Sequence, residues 1–332
     1  MSSKRRFLAG LQGERVDVMP VGSPTSVATV DQMEITGAFF PHAHLDGEKM
    51  ARLAAGAYEI LGYDAIMPVF SVVQEAAALG CEISWGEAFE MPVAVTHPWN
   101  DPEQVAIPAD FLERPAIKTV LDALSILQRE YGHQAAIIGK VMGPWTLAYA
   151  MHGLQDFLIE TLLEPDKVRR FLDRLKAVTV IFGKAQLEAG ADLLCLPDHA
   201  TGDLVSGKMY RDFLAPIHRE ILAELGCPVI LHICGKTLDR MPAIADAGFD
   251  AFHFDSLNDA QQAVRLVGDR LALVGNIENV QTLLNGTPEA VAGQTRYAIE
   301  AGVQVIGPEC AVPLRTPLEN LIAIRRAARD ED

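Results

Sequence analysis

A chain of 332 residues, 49 % apolar and 22 % charged, can build a large core and is long enough for two modest domains or one α/β barrel. Its 28 basic and 44 acidic residues leave a net charge of −16, which argues against partners that need neutralised phosphates, namely nucleic acid and anionic membrane surfaces. The five cysteines are odd in number and thinly spread, which argues against a disulfide framework, and no stretch approaches the ~18 apolar residues of a membrane span. The basic N-terminus lacks the apolar stretch of a signal peptide, so a cytoplasmic location is expected.

In chain order, an amphipathic helix around residues 4–11 comes first. Apolar runs then predict strands at 16–21, 65–70, 136–142, 192–196, 229–234, 251–255, 271–276 and 303–306. Most are short, continuous and rich in Val, Ile and Leu, as in parallel strands buried on both faces. Helical patterns follow the later strands, over 210–225, 238–247, 260–267, 288–301 and 317–328. Gly190, Gly226, Gly248 and Gly302 stand where helices need C-terminal caps. The segments EAGADLL, ELGCPVIL, DAGFDAFHF and EAGVQVIG repeat one helix–Gly–strand junction.

Eight strands alternating with helices favour an α/β fold of the (β/α)8 TIM-type barrel over an open doubly wound sheet, with residues 1–332 as a single domain. Two stretches break the rhythm. Residues 80–114 read as an insertion after strand 2 with a small hairpin, and 143–162 as short helical pieces; such insertions build lids or substrate walls.

Polar residues that end barrel strands face the active mouth. Strand four runs into Asp198 and His199, strand five into His232 and Cys234, strand six into His253 and Asp255. Strand seven ends in Asn276, and strand eight runs through Gly307 to Glu309 and Cys310. In His232-Ile233-Cys234 the strand alternation puts imidazole and thiol on one face. With the distant Cys310 they form a zinc ligand set whose three protein donors leave one position open. The alternative is a histidine and two cysteines packed in the core.

Asp255 is the preferred candidate for a fourth, exchangeable ligand, or a helix N-cap. Glu309 is a second candidate, or a surface carboxylate. Asp198 is catalytic or caps its loop, and Asn276 points at a ligand or at a neighbouring backbone amide. His199 and His253 read as hydrogen-bonded structural histidines, and Cys81, Cys195 and Cys227 as small core residues. Lys140, near the end of strand three, is a Schiff-base lysine or a barrel-interior ion-pair partner. No dinucleotide fingerprint, phosphate loop or nucleophile elbow is present.

The stretches RFLAGLQGERVDVMPV, PTSVAT, GYDAIMPVFSVVQEAAALGCEISWG and MGPWTLA carry a resemblance that continues through VILHICGKTLDRMPAIADAGFDAFHFD, LVGNIENVQTLLNGTPEAV and GPECAVPLRTPLENLIAI. Over nearly its whole length the chain resembles the uroporphyrinogen decarboxylase superfamily, and within it the methylcobalamin:coenzyme M methyltransferases. The resemblance implies that His232, Cys234 and Cys310 bind Zn2+. It also implies a corrinoid (cobalamin) methyl donor, either a methylated corrinoid protein or free methylcobalamin. The acceptor would be a small thiol such as coenzyme M, held as a thiolate that attacks the methyl group of methyl-Co(III), with Co(I) leaving.

Coenzyme M is acidic and needs a cation or amide donors; Arg211, Lys236 and Arg315 lie near the mouth. The parent decarboxylases hold a polycarboxylate with an Arg-rich N-terminal segment, yet residues 21–29 here contain no Arg. Those enzymes use no metal, so the His/Cys/Cys set would have no purpose in them. Tetrahydrofolate as acceptor, and a non-catalytic corrinoid- or metal-binding protein, are the other readings.

Overall fold

The computed structural model describes residues 1–331. Nine strands are defined among them: β1 Ala65–Ile66, β2 Ile83–Ser84, β3 Val93–Ala94, β4 Ala136–Lys140, β5 Leu193–Pro197, β6 Val229–Ile233, β7 Ala251–Phe254, β8 Ala272–Ile277 and β9 Val305–Pro308. Seven form one sheet in the order β1-β4-β5-β6-β7-β8-β9, and every pair is parallel. Helices lie between successive strands, as parallel crossovers require.

The eighth position is filled by residues 20–22. Val21 bridges Ile306 of β9, Ile306 N donates to Pro20 O, Gly22 N donates to Ile306 O, and on the other side Asp64 N donates to Val21 O at 2.7 Å. The curled sheet thus meets itself as a TIM-type barrel. The strand expected at 16–21 shrinks to this bridge because Pro20 has no N–H to give a ladder. The run at 65–70 pairs only over β1 for the same reason at Pro68. The other strands lie within two residues of their expected limits.

Helices Ala260–Val267 and Pro288–Ala301 stand as expected. The one expected over 210–225 begins as a π-helical turn, Tyr210–Leu214, because Pro216 interrupts the hydrogen-bond ladder ahead of Ala215–Leu225. Gly226, Gly248 and Gly302 end their helices in the left-handed conformation, which glycine adopts without Cβ strain. The insertion after β1 contains the antiparallel hairpin β2–β3. Residues 143–162 divide into helices Pro144–His152 and Leu154–Leu163, broken at Gly153.

The faces of β4 can be assigned from Gly139. A Cβ there would lie 2.7 Å from Gln186 Oε1, on the outer helix Pro165–Glu188. Gly139 therefore faces the helices, and its neighbours Ile138 and Lys140 face the barrel interior. Among the described residues no helix is long and apolar enough to cross a membrane.

Candidate metal centre

β6 delivers His232 as its penultimate residue, and Cys234 follows its last residue directly. β9 ends at Pro308, so Glu309 and Cys310 stand in the loop above it. The three side chains converge. His232 Nε2 lies 3.1 Å from Cys234 Sγ and 3.4 Å from Cys310 Sγ, and the two sulfurs are 3.3 Å apart. All three ligand atoms fall within 4.8 Å of one another, and both cysteines are free thiols.

Two sulfurs this close share one proton. The hydrogen bond from Cys234 holds the Cys310 thiol well below its ordinary value, helped by His232. The same contact, with burial, drives Cys234 up. A divalent cation among the three atoms would instead favour both thiolates, and an N,S,S donor set of this kind suits Zn2+. The donor chemistry therefore fits the metal.

The surrounding shell orients these donors. His232 Nδ1 lies 3.3 Å from the backbone oxygen of His253. A carbonyl only accepts, so Nδ1 carries the proton and Nε2 turns its lone pair towards the sulfurs. His253 is a structural histidine as expected. Its Nε2 donates to Pro308 O at 2.8 Å, its ring lies 4.6 Å from that of His232, and burial holds it down to about 3. His199 is half-buried, its backbone N–H bonds Thr146 Oγ1, and burial lowers its imidazole to about 4.

Asp255 stands at the end of β7 beside the three donors but spends its oxygens on backbone. Oδ2 accepts from Gly235 N at 2.9 Å and Oδ1 from Leu257 N at 2.8 Å. The cap of the following helix is Asp259. Glu309 is buried rather than at the surface, accepting from Ser256 N and Asn279 N at 2.9 Å each, and burial raises its carboxyl. Asn276 Nδ2 donates to the backbone oxygen of Asn258 at 3.2 Å. Asn258 escaped the sequence reading, although its buried amide accepts from Thr237 N and donates to Gly235 O, tying down the loop after Cys234. Its only sequence signal is the Asn within the turn Ser256-Leu257-Asn258-Asp259.

The Asp198 side chain bonds none of the three donor atoms, although its backbone N–H donates to His232 O at 3.0 Å. It is fully buried and accepts from Thr146 N at 2.8 Å, while its other oxygen meets His218 Nε2 at 3.0 Å. His218 Nδ1 in turn lies 3.1 Å from the Tyr210 hydroxyl. Strand-end logic could not find His218 or Tyr210, which come from the helical segment after β5. Lys140 is buried and, among the described residues, forms no salt bridge; its backbone N and O bond the Gln186 amide. Cys81 and Cys195 are buried and Cys227 is half-buried.

Comparison with known proteins gives four concordant findings. The family model for uroporphyrinogen decarboxylase (URO-D) matches residues 2–331. A methylated-thiol–coenzyme M methyltransferase of Methanosarcina mazei is 36 % identical over 332 residues, covering 99 % of this chain and 90 % of that protein. The methylcobamide:CoM methyltransferase MtaA of Methanosarcina barkeri is 35 % identical, covering 99 % and 97 %. A solved methyltransferase from Methanosarcina mazei superposes with a TM-score of 0.95 at 33 % identity, covering 99 % of this chain and 98 % of that one.

Proposed function

This chain belongs to the uroporphyrinogen decarboxylase (URO-D) family, and from that premise we propose that it is a corrinoid-dependent methyltransferase acting on a thiol. The donor would be methylcobalamin or a methylated corrinoid protein, and the acceptor a small thiol such as coenzyme M. The observation that carries the reading is the convergence of His232, Cys234 and Cys310 within 4.8 Å at the C-terminal mouth of the barrel, in a chain similar over its full length to proteins named for methyl transfer to coenzyme M.

His232, Cys234 and Cys310 would hold Zn2+. When bound, zinc supplies Lewis acidity that keeps an acceptor sulfur as thiolate at neutral pH. The two cysteine sulfurs balance a divalent charge, and His253 O fixes the His232 tautomer. Asp255 and Asn276 would act as positioning residues, the first by anchoring Gly235 beside Cys234, the second through Asn258. Asp198 would hold helix Pro144–His152 against the mouth through Thr146. A cytoplasmic, reducing compartment suits a site that needs both cysteines as thiols.

The decarboxylase reading is weaker on a specific ground. Residues 21–29, which follow on from the closing bridge at Val21, are buried, and none is Arg to receive a polycarboxylate. Metal analysis joined to demethylation of methylcobalamin by a panel of thiols tests the proposal. About one zinc per chain, lost in Cys234→Ala, with methylation of the thiol, is the expected result. A metal-free protein that decarboxylates uroporphyrinogen would overturn it; zinc without turnover would indicate a binding protein. Transfer to tetrahydrofolate without a thiol would move the acceptor alone.

A further inference from the structure

The five cysteines are all free thiols, but their surroundings differ. Cys81 and Cys195 are buried, and Cys81 donates to Thr96 O at 2.6 Å. Cys227 is half-buried just ahead of β6, at the opposite end of that strand from Cys234. Cys234 and Cys310 are half-buried, and their sulfurs face each other at 3.3 Å. Among the described residues no other two cysteine sulfurs make such a contact.

A disulfide holds its sulfurs at about 2.05 Å, so a closure of about 1.3 Å separates this contact from a bond. Neither cysteine is held in the sheet ladder. Cys234 follows the last residue of β6, and Cys310 lies in the loop beyond the end of β9. Both side chains can therefore turn without breaking a strand. The two positions are 76 residues apart in the chain, and β7 and β8 lie between their strands in the sheet. A bond between them would tie two loops together across the mouth. It would also use both sulfurs of the three-donor site. A sulfur bonded to sulfur is no longer the thiolate that a metal binds, so disulfide and metal exclude each other.

We propose that Cys234 and Cys310 form a dithiol–disulfide switch, in which a small organic disulfide oxidises the metal-free pair and shuts the metal centre until a thiol reduces it. The competition with zinc rests on the metal reading given above, whereas the pairing of the sulfurs does not. One cysteine sulfur attacks the disulfide R–S–S–R, forming a mixed disulfide as one RS group leaves. The other cysteine attacks the protein sulfur of that mixed disulfide, closes the Cys234–Cys310 bond and releases the second RS group. Both thiol protons leave with the two groups as RSH. The protein thus loses two electrons and two protons, and the organic disulfide gains them.

Peptide mass mapping of the full-length protein tests the switch after treatment with bis(2-hydroxyethyl) disulfide, once with zinc added and once with a chelator. With the chelator, the Cys234 and Cys310 peptides appear joined and lighter by two hydrogens, while Cys81, Cys195 and Cys227 remain open to alkylation. Zinc at about ten times its dissociation constant slows the joining about tenfold, because only the metal-free fraction reacts. The joined protein binds no zinc until excess thiol restores it. Cys234→Ser and Cys310→Ser each stop at a mixed disulfide on the remaining cysteine. Mixed disulfides that persist on the wild-type pair overturn the proposal, as do links through Cys81, Cys195 or Cys227. Unchanged zinc affinity in the joined protein overturns it too. Methylation of a thiol by methylcobalamin is measured separately on the reduced, zinc-loaded protein. Its absence beside a zinc-protected disulfide would sink the methyl-transfer reading and leave the switch standing. Methylation by a protein that never joins would do the reverse.

Discussion

The carboxylate of Asp255, at the end of one barrel strand, accepts the backbone N–H of Gly235 at the end of the next, immediately after Cys234. The bond sets the height of the loop that carries a metal-ligand candidate, and the other oxygen is engaged by Leu257 N. Asp255→Ala removes both bonds and leaves Gly235 N without its acceptor. Loss of such an orienting partner lowers metal affinity by about 10–100-fold. Competition with a zinc chelator should show that loss in Asp255→Ala and a smaller one in Asp255→Asn, which keeps an acceptor oxygen. Equal affinity in all three proteins would mean that the Cys234 loop needs no support from β7.

Gly235 itself leaves little room for change. Its φ is +75°, and an added Cβ would run into Thr201 Oγ1. Gly235→Ala therefore combines a left-handed backbone with a steric clash, a cost of about 1–3 kcal/mol concentrated beside Cys234. The expected outcome is reduced zinc retention together with a lowered denaturation midpoint. Adding Thr201→Ala should recover the clash but not the backbone strain, so rescue is partial.

Asp198 and His218 meet 3.0 Å apart with neither side chain exposed. Asp198→Ala strands His218 and takes the acceptor from Thr146 N, and leaving buried polar groups without partners costs about 1–3 kcal/mol each. Asp198→Asn retains an acceptor and should cost about 1–2 kcal/mol. Urea denaturation at unchanged m-value measures both. Zinc content should stay at the wild-type level in Asp198→Asn, because none of the three donor atoms touches Asp198. A zinc-free but stable Asp198→Asn would place this residue in the metal centre instead.

Strand ends were legible because parallel barrel strands are apolar runs that stop where polar side chains begin. That pattern marked His232, Cys234 and Cys310 before any geometry was known, and the structure brings those three together. The first strand was over-read because Val16–Val21 is apolar without being able to pair, with Pro20 lacking a donor and one bridge taking the place of a ladder. Partners supplied by helices were hidden for a different reason. Glu75, His44 and His218 are buried by packing between elements far apart in the chain, which local periodicity does not encode. Glu75 left one trace, a lone carboxylate inside the apolar run VFSVVQEAAAL. For Glu309 the surface alternative fails, because two backbone donors from the loops after β7 and β8, Ser256 and Asn279, hold the carboxylate inside.

His44 makes a pH prediction with a definite sign. Burial, aided by the nearby Lys140 charge, holds its imidazole down to about 3, against 6.5 unperturbed. A group whose folded value is depressed stabilises the fold above its unfolded value and loses that contribution as pH falls. The window therefore opens below about 6.5, and stability declines towards pH 3 by at most about 5 kcal/mol from this residue. The ring already stacks on Phe40 at 4.0 Å, and neither nitrogen has a partner to lose. His44→Phe should hence keep its thermal midpoint at pH 7.5 and fall less than the wild type between pH 6.5 and 4.5. Parallel decline of the two proteins across that interval would show that His44 is not the group whose protonation opens the fold.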